Sequence, residues 1–366
     1  MCTQSAQQIQ YKTIEFLRFF CAAFVVLRHA SIYIGNSLGG VIAKSVFANG
    51  ITEICVPTFF IISGFLFFKN LNNWDWSVYK KKVFSRTKTL LLPYIVWNII
   101  SLVISYALLI LTDSSLSISE FWVSKGGIRF LWDCGMASPS YNFFGAVLFF
   151  GTPADGPLWF IRDLMILVII SPILHWCTKT LGFYWIILTG LFYITRTGIP
   201  YVGFAPAGIF YFSLGAFLQI HYEHLFFFFY KNRVQFWIMT FLLLFILVVC
   251  DLYAYDSHKY VSHIFAPIGS IGIICLVANL YERNIIKEYK KLSHASFMIF
   301  ALHGAGLLGV VGAVFGKLPF SSDIWNVVQY LLVSTITIGV CVIIDIILCQ
   351  HASIIYGLLT GFRKNK

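Results

Sequence analysis

About ten apolar runs, most near the 20 residues that carry a helix across roughly 30 Å of hydrocarbon, divide this chain and leave few folds open to it. They fall near residues 14–34, 47–68, 89–111, 157–177, 182–195, 204–220, 234–254, 261–281, 293–315 and 325–349. With 59% hydrophobic and 11% charged residues and a mean hydropathy of +0.81, a water-soluble core of 366 residues has no way to hide so much apolar surface. The sequence predicts an integral membrane protein.

Lys and Arg set the orientation, because short loops rich in them stay in the cytoplasm. With the N-terminus inside, the inner loops collect Lys12, Lys69, Lys80, Lys81, Lys82, Arg86, Lys88, Lys179, Lys231, Arg233, Arg283, Lys287, Lys290 and Lys291, and the tail holds Arg363, Lys364 and Lys366. The outer loops hold only Lys44, Lys125, Arg129, Arg196, Lys259 and Lys317. The expectation is an even number of spans with both termini cytoplasmic. No repeat or soluble insertion interrupts the pattern, so residues 1–366 are expected to form one all-α polytopic bundle. It has an external loop over about 112–156 and a basic cytoplasmic loop over about 69–88. Within the external loop, "YNFFGAVLFF" is too short to span and is expected to re-enter the membrane or lie on its surface. The first run has full spanning length and contains Arg18, so it is expected to stay as the first helix rather than be cleaved.

The net charge of +11 is spread over loop ends between spans, which suits anionic lipid headgroups better than nucleic acid. Only loop 69–88 is dense enough to suggest a soluble phosphate ligand. The nine cysteines show no C-x-x-C pair and lie mostly inside spans, as small apolar residues do.

The first run, "EFLRFFCAAFVVLRHA", carries charge where lipid tolerates little. Arg18 and His29 are eleven residues apart, a net helical rotation of about 20° and a rise of roughly 16 Å, so they share a face. Glu15 and Ala22 complete a polar, small-residue stripe. Such a stripe turns inward, because an ionised side chain facing lipid costs about 2.5–3.5 kcal/mol even on insertion scales. Arg28 is turned about 100° from His29 and is expected to snorkel to the outer headgroups. The bland alternative pairs Arg18 with Glu15 one turn earlier and ties His29 to a neighbouring helix.

Three further stretches, "VPTFFIISGFLFF", "SRTKTLLLPYIVW" and "SHASFMIFALHG", accompany the R-x10-H spacing of Arg18 and His29, and the fourth run opens "PLWFIRDLMIL". Together, in this order, from about residue 11 to 350, they resemble the acyltransferase 3 family. These are bacterial membrane enzymes that move acyl groups, usually acetyl, onto sugars of surface polysaccharides and glycolipids. The resemblance implies that Arg18 and His29 are the central functional pair, that Arg86 is the first arginine of an R-x-x-R element, and that Ser63 and Gly64 belong to a Ser-Gly-Phe element. It likewise singles out Trp159 in the Trp-Phe pair and His303 in the ninth span. Thr89 stands where the family has its second arginine, with Lys88 beside it. The implied location is a bacterial inner membrane, multi-pass, and the implied cosubstrate is acyl coenzyme A, with no permanently bound cofactor and no metal.

Chemistry and resemblance then suggest one mechanism. Lys80, Lys81, Lys82, Arg86 and Lys88 hold the donor's phosphates, Arg18 guides its arm, and His29 takes the proton of a sugar hydroxyl as it attacks the thioester. An acyl-imidazole intermediate stays open. Glu53 is a candidate partner for His29. His303 shares a helical face with Ser293, Ser296 and Phe300 and points into the bundle. Asp345, near the inner end, suits a structural pairing. Trp122, Trp132 and Tyr141 are candidates to stack on an acceptor sugar, as interfacial aromatics also would be placed.

Other signals are weak. "GAGLLG" at 304–309 lacks the strand that a dinucleotide fingerprint needs and suits close helix packing. "HYEH" at 221–224 lacks a third metal ligand. "SRTK" matches a penicillin-binding motif only by chance. The competing functional class is a transporter or exporter of polysaccharide or lipid-linked sugar, with Arg18, His29 and His303 lining a permeation path. A membrane sensor or scaffold leaves the charged stripe unexplained.

Overall fold

Among the described residues, seven helices are long and apolar enough to cross a bilayer, or eight if one bent pair counts as a single span. The computed structural model describes residues 3–35, 37–71, 73–111, 117–134, 140–143, 146–149, 151–195, 206–287, 290–316 and 322–362. In chain order the spans are α1 (Ala6–Tyr33), α2 (Leu38–Phe68), α3 (Trp76–Leu111), the bent pair α4 (Gly156–Ile169) and α5 (Ser171–Leu181), then α8 (Arg233–Leu252), α9 (His258–Glu282), α10 (Ser296–Gly316) and α11 (Asp323–His351). Between them lie α6 (Phe183–Thr195) and α7 (Pro206–Tyr222), and α12 (Ser353–Thr360) follows α11. The expected ten spans all appear as helices, but two fall short of spanning. At about 1.5 Å per residue, the 13 residues of α6 and the 17 of α7 do not cover about 30 Å.

The fourth expected span is bent by 67°. Pro172, the second residue of α5, removes a backbone donor at the break and disfavours helical geometry just before it. The Ser171 hydroxyl takes up the Val168 carbonyl at 2.8 Å, so the break leaves that group satisfied.

One departure from the all-α expectation lies in the external loop. Within this stretch the described residues form strands: β1 (Ser140–Phe143) pairs antiparallel with β2 (Ala146–Phe149), Tyr141 opposite Leu148. A hairpin pairs its backbone groups within ten residues, which a run too short for a span needs. Tyr141's side chain, Arg196, Lys317 and the basic tail lie outside the described residues.

The core is aromatic and centred on α2. Phe60, Phe65, Phe67 and Phe68 are fully buried, and α7 lies against them. This seam is closed by glycine: a Cβ on Gly64 would stand 2.1 Å from the Phe212 carbonyl oxygen, and one on Gly215 would stand 2.0 Å from that of Ile61. Small residues let membrane helices meet backbone to backbone, where dispersion supplies the attraction that hydrophobicity cannot. Around α1 stand α2, α9, α10 and α11, and the Tyr330 hydroxyl of α11 donates to the Leu27 carbonyl at 2.9 Å.

Candidate active site

The helix that carries His303 loses its regularity at the histidine. His303–Leu307 form a π turn, and Gly306 within it has φ +118°, which glycine adopts freely and other residues do not. Single π turns inside helices recur at functional sites. The glycines of "GAGLLG" serve this kink and the packing around it, since Gly309 lies near the Tyr33 hydroxyl and Gly304 against Asp155 and Pro157.

His303 is 2% exposed, and its Nδ1 lies 2.7 Å from the Ile299 carbonyl oxygen. A carbonyl only accepts, so Nδ1 carries the proton and Nε2 presents a lone pair. That Nε2 is buried with no partner among the described residues. The His29 ring stands 5.3 Å away, centroid to centroid. His29 is exposed, so the pair joins a buried ring to an accessible one. Phe300, Phe59 and Phe160 form an aromatic floor beneath the pair, with Phe300 6.2 Å from His303 and 6.0 and 5.9 Å from the other two. Two histidines separated by most of the sequence thus share one site.

Glu53 goes elsewhere. Arg28 donates to its Oε1 at 2.8 Å and Ser262 to its Oε2 at 2.7 Å, so both oxygens are engaged away from His29. Arg28 is not free to snorkel either, because it also donates to the Ala48 carbonyl at 2.7 Å. These bonds knot α1, α2 and α9 together. A Glu53→Gln variant is therefore expected to lose about 1 kcal/mol of stability and to keep turnover within about threefold, measured by thermal melting and acyl-transfer rate.

The basic end is a separate cluster about 16 Å along α1 from His29. Arg18 lies 3.5 Å from Glu15, with both side chains close to half exposed, and Glu15 also accepts from Ser293. A pair so exposed is worth little and opens readily. Arg86 is half-buried, stands just before a second π turn (Thr87–Leu91), and makes no hydrogen bond or ion pair among the described residues. Its charge interacts with that of Arg18, so two like charges stand together with Glu15 as their nearby anion. Lys82 is committed to structure: it donates to the Phe67 and Lys69 carbonyls at 2.6 and 2.7 Å, neutralising the end of α2. Lys88 is exposed and lies over the Phe84 ring at 5.1 Å. The Thr89 hydroxyl returns to the Ser85 carbonyl at 3.1 Å. Ser63 is half-buried on α2. At this end too, Asp345, His294 and Tyr356 form a closed trio, with separations of 3.3, 3.2 and 2.9 Å.

On the loop side, Arg162 of α4 stacks over the Trp132 ring at 4.9 Å and donates to the Trp132 and Gly151 carbonyls at 2.6 and 3.0 Å. Trp159, one turn earlier on α4, is half-buried against the core. Sequence reading passes over Asp155, whose carboxyl packs against Gly304, and Asn98, which accepts the Asp155 N–H at 2.9 Å. An acid just before a helix is what an ordinary N-cap supplies, so its position gave no separate signal.

A polytopic helical membrane protein with a facing histidine pair and a cation cluster at one end is the class this geometry defines. The acyltransferase domain of the acyltransferase 3 family matches residues 11–346, and the chain belongs to that family. The chain is also similar to the succinoglycan biosynthesis protein ExoH of Rhizobium meliloti (strain 1021), 31% identical over 125 residues. That stretch is 33% of this chain and 29% of ExoH, so it spans less than a third of the relative's length. No solved structure matches.

Proposed function

We propose that the protein transfers an acyl group, acetyl being the first to test, from acyl coenzyme A to a hydroxyl of a surface polysaccharide or lipid-linked sugar in a bacterial inner membrane. The observation that carries this reading is the meeting of His29 and His303 with an unpaired, lone-pair-bearing Nε2 between aromatic walls. A buried imidazole of fixed tautomer is ready to accept a proton. In the proposed reaction His29 takes the hydroxyl proton as the oxygen attacks the thioester carbonyl, and His303 Nε2 accepts a hydrogen bond from the acceptor sugar. The new C–O bond replaces the C–S bond, the electron pair leaves with sulfur, and the proton follows to the thiolate. Arg86 and Arg18 meet the donor's phosphates at the basic end, where an unpaired Arg86 beside an Arg18 only loosely paired with Glu15 favours a polyanion. Lys88 adds a point charge, while Lys82 contributes through the loop it holds. Trp132 and Trp159 offer faces for sugar rings. ExoH's role in succinoglycan biosynthesis supports polysaccharide as the acceptor class.

The test uses the purified full chain in lipid nanodiscs with labelled acetyl coenzyme A and short-chain alkyl glycosides of glucose, galactose and mannose. Thioester-dependent labelling of a glycoside is expected. An Arg86→Gln variant is expected to raise KM for acetyl coenzyme A about tenfold or more, the worth of a charge-assisted bond, while leaving KM for the glycoside unchanged. Glycoside flux without acyl turnover would overturn the reading in favour of a transporter.

A further inference from the structure

Asp155 is 0% exposed, yet neither of its carboxyl oxygens has a hydrogen-bond partner among the described residues. Its position makes this unusual. It occupies the N-cap position of α4, where an aspartate ordinarily accepts from the first-turn amides, and its side chain caps nothing. The backbone explains why the carboxyl is free to face elsewhere. The Asp155 N–H donates to Asn98 Oδ1 at 2.9 Å, Asn98 is itself 0% exposed and donates to the Tyr94 carbonyl at 2.7 Å, and Ser101 holds the Ala154 carbonyl at 2.9 Å. Helix α3 thus fixes the chain on both sides of the carboxyl.

The carboxyl is aimed at α10. Its Oδ1 lies 2.3 Å from where a Cβ on Gly304 would stand, so the absence of a side chain at 304 makes room for it against the turn that His303 opens. Burial pushes the Asp155 carboxyl well above the usual carboxylate range. In that neutral form it offers an O–H donor and a lone-pair acceptor. His303 Nε2, one residue from Gly304, offers a second lone pair without a partner. A buried polar group left unpaired is costly, and two such groups, one on a turn and one packed on that turn, call for a ligand that fills both.

A hydroxyl has the complementary polarity, since its oxygen accepts from the carboxyl and its proton goes to the imidazole. We infer that Asp155 binds a hydroxyl of the sugar acceptor against His303, an acceptor-binding residue for the reaction. The inference rests on the O-acyltransferase reading. The donor's amide-bearing arm is the other chemistry that fits such groups, but Asp155 enters from the external-loop side, opposite the cation cluster.

The experiment compares wild type, Asp155→Leu and Asp155→Asn in nanodiscs, with the same alkyl glycosides and labelled acetyl coenzyme A. Glycoside binding is measured calorimetrically beside turnover. Asp155→Leu is expected to weaken glycoside binding and raise glycoside KM about tenfold, with KM for acetyl coenzyme A unchanged. Asp155→Asn keeps a donor and an acceptor and is expected to retain binding within about threefold. With wild type, one monodeoxy glycoside should reproduce the loss, and Asp155→Leu should add nothing to it. Glycoside binding that Asp155→Leu leaves intact overturns the inference even if transfer is robust, as does a rise in KM for acetyl coenzyme A instead. Glycoside binding that depends on Asp155 without any acyl transfer upholds the residue's role and defeats the transferase reading.

Discussion

A His29→Gln variant is expected to lose acyl transfer by about 10²- to 10⁴-fold, the usual contribution of a positioned general base, while its melting temperature stays close to wild type. The two halves of this expectation have separate origins. His29 makes no hydrogen bond among the described residues, so removing its ring orphans no partner, and a change without a named structural mechanism shifts stability by about 0.5 kcal/mol or less. Its contact is with His303, whose Nε2 is the group prepared to receive a hydrogen bond. A His303→Leu variant should lose a comparable factor in rate and in addition about 1 kcal/mol of stability, because the Ile299 carbonyl loses its donor. The double variant should be no slower than the worse single one, since groups acting as a unit are not additive. Steady-state rates with labelled acetyl coenzyme A and an alkyl glycoside, beside melting curves, check all three. Turnover of His29→Gln within about threefold of wild type would remove His29 from the chemistry and leave it as a neighbour of His303.

Most of the bundle was legible because its signal is composition over long windows. Every expected apolar run is a helix, since the bilayer forces backbone groups to be satisfied within the segment. Where the reading was off, the cause is local. Runs such as α6 are apolar enough to span but too short, and a hairpin formed where ten apolar residues pair their own backbone. The partners of charged side chains were less legible. Helical phase places Arg18 and His29 on one face of α1, but phase within one helix says nothing about which other helix arrives there. Glu53 is an acid at a depth like that of His29, and it is taken by Arg28 and Ser262 from neighbouring elements. Lys82, one of five cations in a basic run, is drawn to the carbonyls at the end of α2, and Arg86 four residues later is not. Asp155 was hidden because an N-cap and an orphaned buried carboxyl look identical in sequence and differ only in what the side chain turns toward.

Gly64→Ala and Gly215→Ala are expected to be the most destabilising single-methyl changes in the chain, each by about 3 kcal/mol, the upper range for overpacking a filled site. The added carbons would fall 2.1 and 2.0 Å from the Phe212 and Ile61 carbonyl oxygens, and backbone, unlike the tip of a side chain, has no rotamer by which to retreat. Relief requires α2 and α7 to separate along their whole seam, forfeiting dispersion contacts on both sides of it. Once they have separated, the second methyl meets less resistance, so the double variant should cost clearly less than the sum. Gly339 in α11 is the control: nothing lies within 4 Å of its Cβ position, so Gly339→Ala should gain up to about 1 kcal/mol from helix propensity alone. Denaturation midpoints in detergent check this order. The functional consequence follows from where α2 stands. Phe59 and Phe60 belong to the aromatic floor and its surround, with Phe60 4.6 Å from Phe160, so moving α2 shifts the surface on which His303 rests. Variants at either glycine that still fold should thus lose turnover, while Gly339→Ala keeps it. A Gly64→Ala protein with unchanged stability and rate would mean that the seam between α2 and α7 is looser than its backbone contacts require.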